Sequence, residues 1–288
     1  MNRWRFLASP RWAGYLVLVI VFAIVCSALG TWQLNRRAEA RAEVARIDAN
    51  YDAAPVPLDE ALPDPGAFDI DQRWKVVEAT GEYLPGEEVV VRNRPNQGTT
   101  GFEVITPLRL EDGTVFMVDR GWIPQDQEGR PSQFAAPPSG AVEITARLKA
   151  GEVTIAGRTT SGSEMATVDL GELADRVGEP AYTGAYGILI QEGAAASEPP
   201  VALPRPVRDE GPHLSYALQW FVFALLAFIA LGWFANQERK VLEADAAERS
   251  AAGAGADPPG RAAKRPPGRA RSRTDADADV EDEILDRR

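Results

Sequence analysis

Two long apolar runs, Trp12 to Leu34 and Leu214 to Phe234, flank about 180 residues of mixed polar texture. No Asp, Glu, Lys or Arg falls between Ala13 and Leu34 or between Leu214 and Phe234. At a rise of about 1.5 Å per residue, either run is long enough to cross a hydrocarbon layer of roughly 30 Å. The pattern predicts transmembrane helices over 12–34 and 214–235, with the chain between them on one side of the membrane. A cleaved signal peptide is the rival reading for the first run, since Arg3, Arg5 and Arg11 make a basic n-region and Cys26-Ser27-Ala28 offers small residues. The run continues past that point through Leu29, Trp32 and Leu34, which favours a span.

Residues 35–73 read as a charged helix, Asn35 to about Tyr51, ended by a linker rich in Pro55, Pro57, Pro63 and Pro65. From Trp74 the texture changes to short β-rich runs: Trp74–Glu82, Glu87–Asn93, Phe102–Leu110, Thr114–Trp122 and Val142–Leu148. Glu111-Asp112-Gly113 is a hairpin signal, with Gly113 able to take the positive φ of a tight turn. A helix is expected at Val168–Val177 and a last strand at Ala185–Gln191. The fold expected for 74–193 is therefore an α+β domain dominated by antiparallel strands. Five prolines between Pro199 and Pro212 make 194–213 an extended linker. The tail, 236–288, turns to Ala, Gly, Pro and Arg after Glu248 and then to an acidic block from Asp275 to Asp286. It is too poor in apolar residues to offset its ordering entropy, so it is expected to be disordered.

Charge sets the orientation. The basic N-terminus, 1–11, holds Arg3, Arg5 and Arg11, and Arg239, Lys240 and Arg249 follow the second span, so both termini are placed in the cytoplasm and the middle outside. Arg36, Arg37, Arg41 and Arg46 argue against this, but a long loop is translocated largely regardless of charge. Residues 35–212 carry 17 basic and 30 acidic residues, which weighs against nucleic acid as a partner. The lone Cys26 lies in the first span, so no internal disulfide forms and a packing role is expected for it.

Absent chemistry narrows the function. With one His, one Cys, and no P-loop, Gly-x-Ser-x-Gly, Gly-x-Gly-x-x-Gly or Cys-x-x-Cys motif, the middle segment excludes His-dependent triads and Cys/His zinc sites. Its many carboxylates read as a solvated acidic surface. The informative residues sit where the two spans meet the outer side. These junctions read Leu29-Gly30-Thr31-Trp32-Gln33-Leu34-Asn35-Arg36-Arg37 and Pro212-His213-Leu214-Ser215-Tyr216-Ala217-Leu218-Gln219-Trp220. On helices His213, Tyr216, Ala217, Trp220 and Ala224 share one face, and Gly30, Gln33, Leu34 and Arg37 share another. Small residues on both would allow close approach.

With these junctions, Gly81-Glu82-Tyr83, Val89 to Arg94, Gly101 to Leu108 and Val118-Asp119-Arg120-Gly121-Trp122-Ile123-Pro124, the chain resembles the surfeit locus protein 1 family in order across residues 29–235. Asp119 stands where that family often has Asn. The resemblance implies a non-enzymatic factor of the cell membrane that assists assembly of haem-copper cytochrome c oxidase. It further implies delivery of haem a to the oxidase catalytic subunit, with haem a synthase and membrane lipid as further partners, and His213 as the haem ligand. Arg36 and Arg37 would meet propionates, and Tyr216 and Trp220 would line the site. A plainer reading stands beside it: His213, Tyr216 and Trp220 as an interfacial aromatic belt, and Arg36 and Arg37 as ordinary headgroup charges. Gly81 and Gly121 would then serve turns or bulges, Tyr83 and Trp122 the core, and Arg120 a carboxylate of its own domain or of a partner. An anchored ligand-binding or sensor module is the alternative function.

Overall fold

The computed structural model describes residues 4–155, 157, 162–193 and 199–254. It has two helices long and apolar enough to cross a membrane. They begin and end a chain that forms two compact units, residues 20–226 and the helix ends before and after them in sequence. In the latter unit Arg11 Nη2 lies 2.6 Å from Glu238 Oε2, and Trp12 is buried.

Helix α1 spans Pro10–Asn50, so the apolar run and the charged continuation are one helix. Proline is absent from its interior, and pairs such as Arg36 with Glu39 and Arg46 with Glu43 support its polar end. Its last turn is part of the domain. Ile47 is buried in the core, Asn50 Nδ2 donates to the carbonyls of Asp71 and Arg73 at 2.8 Å each, and the Trp74 indole donates to Glu43 at 2.8 Å. There follow β1 (Val56–Pro57), α2 (Leu58–Ala61), β2 (Val76–Tyr83), β3 (Val89–Asn96), β4 (Thr99–Leu110), β5 (Val115–Pro124), β6 (Ala141–Ala150), β7 (Glu164–Met165), α3 (Leu170–Val177), β8 (Ala185–Glu192) and α4 (His213–Ala254). Helix α3 starts where Asp169 accepts from the Gly171 and Glu172 amides and stops at Gly178, φ 71°.

The sheet is mixed, which corrects the expectation of a mainly antiparallel domain. Three pairings are parallel, β1–β2, β3–β7 and β5–β8. The last has a geometric cause. Strand β8 lies between β5 and β6, which run in opposite directions, so it must be parallel to one of them. The order β2–β6–β8–β5–β4 closes on itself where Gly81, Glu82 and Tyr83 pair with Leu110, Arg109 and Leu108. Gly81 is required at the closure, since a Cβ there would lie 2.4 Å from the Arg109 carbonyl oxygen. Alternate residues divide between two cores. Val77, Leu108, Phe116, Val118, Ile144, Ala146 and Leu148 form one; Ile105, Val115, Met117, Tyr186 and Ile188 form the other, with Ile47, Tyr51, Leu170 and Leu173 from the helices and the turn after α1. The ring leaves its own five strands without a free edge, as barrel closure does, and the outlying edges are the two-residue strands β1 and β7.

The Arg-Gly-Trp-Ile-Pro segment is explained by packing. The Arg120 side chain is wholly buried, 3.2 Å from Glu192 and 3.8 Å from Glu88, and donates to the Ala135 carbonyl. Its partners therefore belong to its own domain. Gly121 adopts φ 130°, and the Trp122 indole donates to the Arg94 carbonyl at 2.8 Å. Ile123 joins Val90, Phe102 and Val104 in a third cluster.

Asp119, fully buried, accepts from the Gly121 amide at 3.0 Å through Oδ1, while its Oδ2 has no hydrogen-bond partner. Burial, reinforced by the charge of Glu103, pushes its carboxyl well above the usual carboxylate range. The folded chain therefore holds a proton that the unfolded chain releases above about pH 3.9. The associated stability is full below that value and is lost as pH rises through the folded pKa. Asp119→Asn keeps the bond to Gly121, so its thermal midpoint is expected to fall less between pH 4 and 8 and to exceed that of the wild type at neutral pH. A steeper fall in the variant would contradict a protonated Asp119.

The expected disorder of 236–288 is corrected in its first part, because α4 continues helically to Ala254. Its polar positions from Gln237 to Ser250 include the pair Arg239–Glu243, which supports a helix without a packed core. The expectation for 255–288 lies outside the described residues.

Candidate functional site

The returning segment Pro199–Pro212 runs extended, as its prolines require, but it is pinned rather than free. Val201 exchanges two backbone hydrogen bonds with Trp122, at 2.8 and 2.7 Å. A Cβ on Gly121 would meet the Val201 carbonyl oxygen at 2.5 Å, so the approach needs glycine there. Arg205 then grips Asp52 at 2.7 and 3.3 Å, and its guanidinium lies 4.4 Å from the centroid of the Tyr51 ring. Arg208 meets Asp48 at 2.6 Å, Glu210 lies 3.2 Å from Arg37 and 3.5 Å from Arg41, and His213 Nδ1 lies 2.9 Å from Gln33 Oε1. Residues 48, 41, 37 and 33 descend one side of α1 at helical spacing and Asp52 lies in the turn just beyond it, so the segment is a ladder of opposite charges along the helix that ends on the Gln33 hydrogen bond.

The Arg208–Asp48 rung is exposed, and a surface ion pair of that kind is weak. Arg208→Ala is expected to give only a small shift in thermal unfolding, one that shrinks further at high salt. A large loss would mean that the rungs act as one cooperative unit.

The ladder delivers His213 as the first residue of α4. With Gln33 Oε1 as the acceptor, the tautomer that fits is the one with its proton on Nδ1, which leaves Nε2 as the nitrogen able to meet a ligand. A Cβ on Gly211 would stand 3.2 Å from Nε2, and Gly211 has φ 69°, so glycine both makes the turn and leaves that nitrogen unobstructed. Below it the two helices pack closely. Ala217 and Cys26 are fully buried, and a Cβ on Gly30 would lie 2.7 Å from the Phe221 ring. The packing role expected of Cys26 and the close approach of small residues are both observed.

The residues anticipated at this site divide. His213 and Arg37 come to one stretch of the junction, joined through Gln33 and Glu210 respectively. Arg36 points to solvent with Glu39 at 2.7 Å, Tyr216 is half exposed, and Trp220 makes an edge contact with Phe223 at 6.0 Å between ring centroids. Among the described residues no three His, Cys, Asp or Glu side chains converge as a metal cage. His213 is the residue of this junction that could hold the iron of a porphyrin.

Comparison with known proteins bears on this geometry. A model of the SURF1 family matches residues 20–225, which include both junctions and the whole sheet. An uncharacterized SURF1-like protein of Mycobacterium tuberculosis is 33% identical over 243 residues, 83% of this chain and 88% of that protein. A SURF1-like protein of Monosiga brevicollis is 28% identical over 74% of this chain and 85% of its own length. The cytochrome oxidase assembly protein SHY1 of Saccharomyces cerevisiae is 31% identical over 116 residues, 39% of this chain and 29% of that one.

Proposed function

The chain belongs to the SURF1 family, and from that premise we propose that it is a membrane-anchored, non-enzymatic factor for assembly of cytochrome c oxidase that presents haem a to the catalytic subunit. The assembly role is supported by the family and by the name of the yeast relative. Anchoring is supported by the two long apolar helices, whose side chains at Leu16, Val17, Leu18, Ile24, Leu218, Leu225 and Ile229 lie exposed with no protein to cover them. With both termini in the cytoplasm, the ring of strands stands outside the cell membrane.

The single observation that carries the haem reading is the His213 imidazole at the helix junction, with Nδ1 2.9 Å from Gln33 Oε1. Haem a, when bound, supplies the iron and the macrocycle that the oxidase requires. His213 would hold the iron through Nε2, and Gln33 would orient the ring through Nδ1. Arg36, exposed and paired only along its own helix, and Arg37, shared with Glu210, are the cations for the propionates. The test is deletion of the gene followed by a redox difference spectrum of membranes. The haem a bands of the oxidase are expected to fall and to return on complementation. Unchanged bands and unchanged oxidase activity would leave the chain as an anchored sensor or ligand-binding module.

A further inference from the structure

On the strip of the sheet where β6 pairs with β8, Arg147 lies opposite Ile188 and Lys149 opposite Tyr186, so two cations share one face with two apolar neighbours. Tyr51, Trp74 and the returning segment at 202–206 pass over this strip and leave a groove of about 350 Å³. Its walls include Trp74, Ile188, Ile190, Leu203 and Pro204. The cations are under-compensated in a segment that carries 30 acidic residues. Arg147 donates to the Tyr51 carbonyl at 3.0 Å and lies 3.7 Å from the centroid of that ring, with no carboxylate at ion-pair distance among the described residues. Lys149 is 3.9 Å from Glu152, but Glu152 is held by Arg94 at 2.6 Å. Glu103, the carboxylate in the lining, is 3.1 Å from the same Arg94, and Arg205 is closed on Asp52. Burial pushes the Arg147 guanidinium below its ordinary value, against the attraction of Tyr51 and of Asp52, whose carboxylate is itself closed on Arg205.

We propose that this groove is a binding site for an aliphatic monocarboxylate, its head on Arg147 and Lys149 and its chain against Trp74, Ile188 and Leu203. An apolar wall beside an unpaired guanidinium selects both ends of such a molecule, and the opening holds a chain of roughly ten carbons at about 30 Å³ per water-sized group. A ligand seated there touches residues 202–206, the start of the ladder that ends at His213, yet binding does not require haem.

The test uses the full chain in nanodiscs of zwitterionic lipid and a ten-carbon photoreactive carboxylate, with the matching alcohol and amine as controls. Mass spectrometry is expected to find saturable labelling of 186–190 and 202–206 by the carboxylate, displaced by decanoate, and none there by the alcohol or amine. Loss of the charge-assisted contact in Arg147→Gln is expected to weaken this labelling about tenfold or more, with Arg147→Lys intermediate. Ala202→Trp, which fills the groove from an exposed position, guards against a fold defect and is expected to abolish labelling at an unchanged thermal midpoint. Equal labelling by all three probes, labelling confined to the apolar helices, or carboxylate labelling that survives both Arg147→Gln and Ala202→Trp would overturn the assignment.

Discussion

His213→Ala is expected to leave the protein folded and in the membrane while removing its Soret absorbance when purified from a host that makes haem a. The substitution deletes the only imidazole in the chain and little buried apolar surface, since His213 is only partly enclosed. Oxidase activity in such cells is expected to fall to the level of the gene deletion. Gln33→Leu, which removes the acceptor for the Nδ1 proton and leaves the ring, should cost about tenfold or more in haem affinity without abolishing it. Trp220→Phe retains an edge contact with Phe223 and is expected to do least. A His213 variant that keeps its full haem spectrum would place the iron on another residue.

The second large effect is expected at Gly121→Val. Any β-carbon there meets the Val201 carbonyl oxygen at 2.5 Å, and φ 130° is a conformation that a β-branched residue strongly resists. Backbone must move on both sides of the Trp122–Val201 pairing, at a cost of roughly 2–5 kcal/mol in thermal or chemical unfolding. Val201 begins the ladder, so haem retention is expected to fall together with stability. Gly129→Ala is the control, at a positive φ of 78° but with nothing within 4 Å of the new methyl group. If the two substitutions cost the same, the close approach to Val201 is not what glycine is there to permit.

The longer strands were legible because apolar and polar residues alternate through Val76–Tyr83 or Ala141–Ala150, and Asp112-Gly113 marks the β4–β5 hairpin, whereas the tighter one, in which Gln97 and Gly98 alone join Asn96 to Thr99, went unread. Pairing was not legible. Nothing local to Ala185–Glu192 says that it inserts between β5 and β6, and β1 and β7, two residues each, are too short to show a period. At the junctions the sequence pointed to His213 and Arg37 and put Gln33 on the facing helix surface, but it did not show Gln33 and Glu210 as their partners. The prolines of 199–212 spoke for a spacer and hid its attachment. The signal was present all the same, since Asp48 near the end of α1 and Asp52 in the turn after it match Arg208 and Arg205 in reverse order. Arg120 was harder still, because a buried guanidinium needs Glu88 and Glu192 from distant strands, and only the closed ring brings them together.

The ladder joins residues 153, 160, 173 and 180 positions apart. Contacts of that separation bear a loop-closure cost that shorter ones do not, so during folding they follow the hairpin and the ring. Val201 needs a finished β5 to pair with, and Asp48 and Asp52 need α1 already held by residues 69–74. The imidazole is thus expected to reach Gln33 late in folding, after the outer strands have assembled.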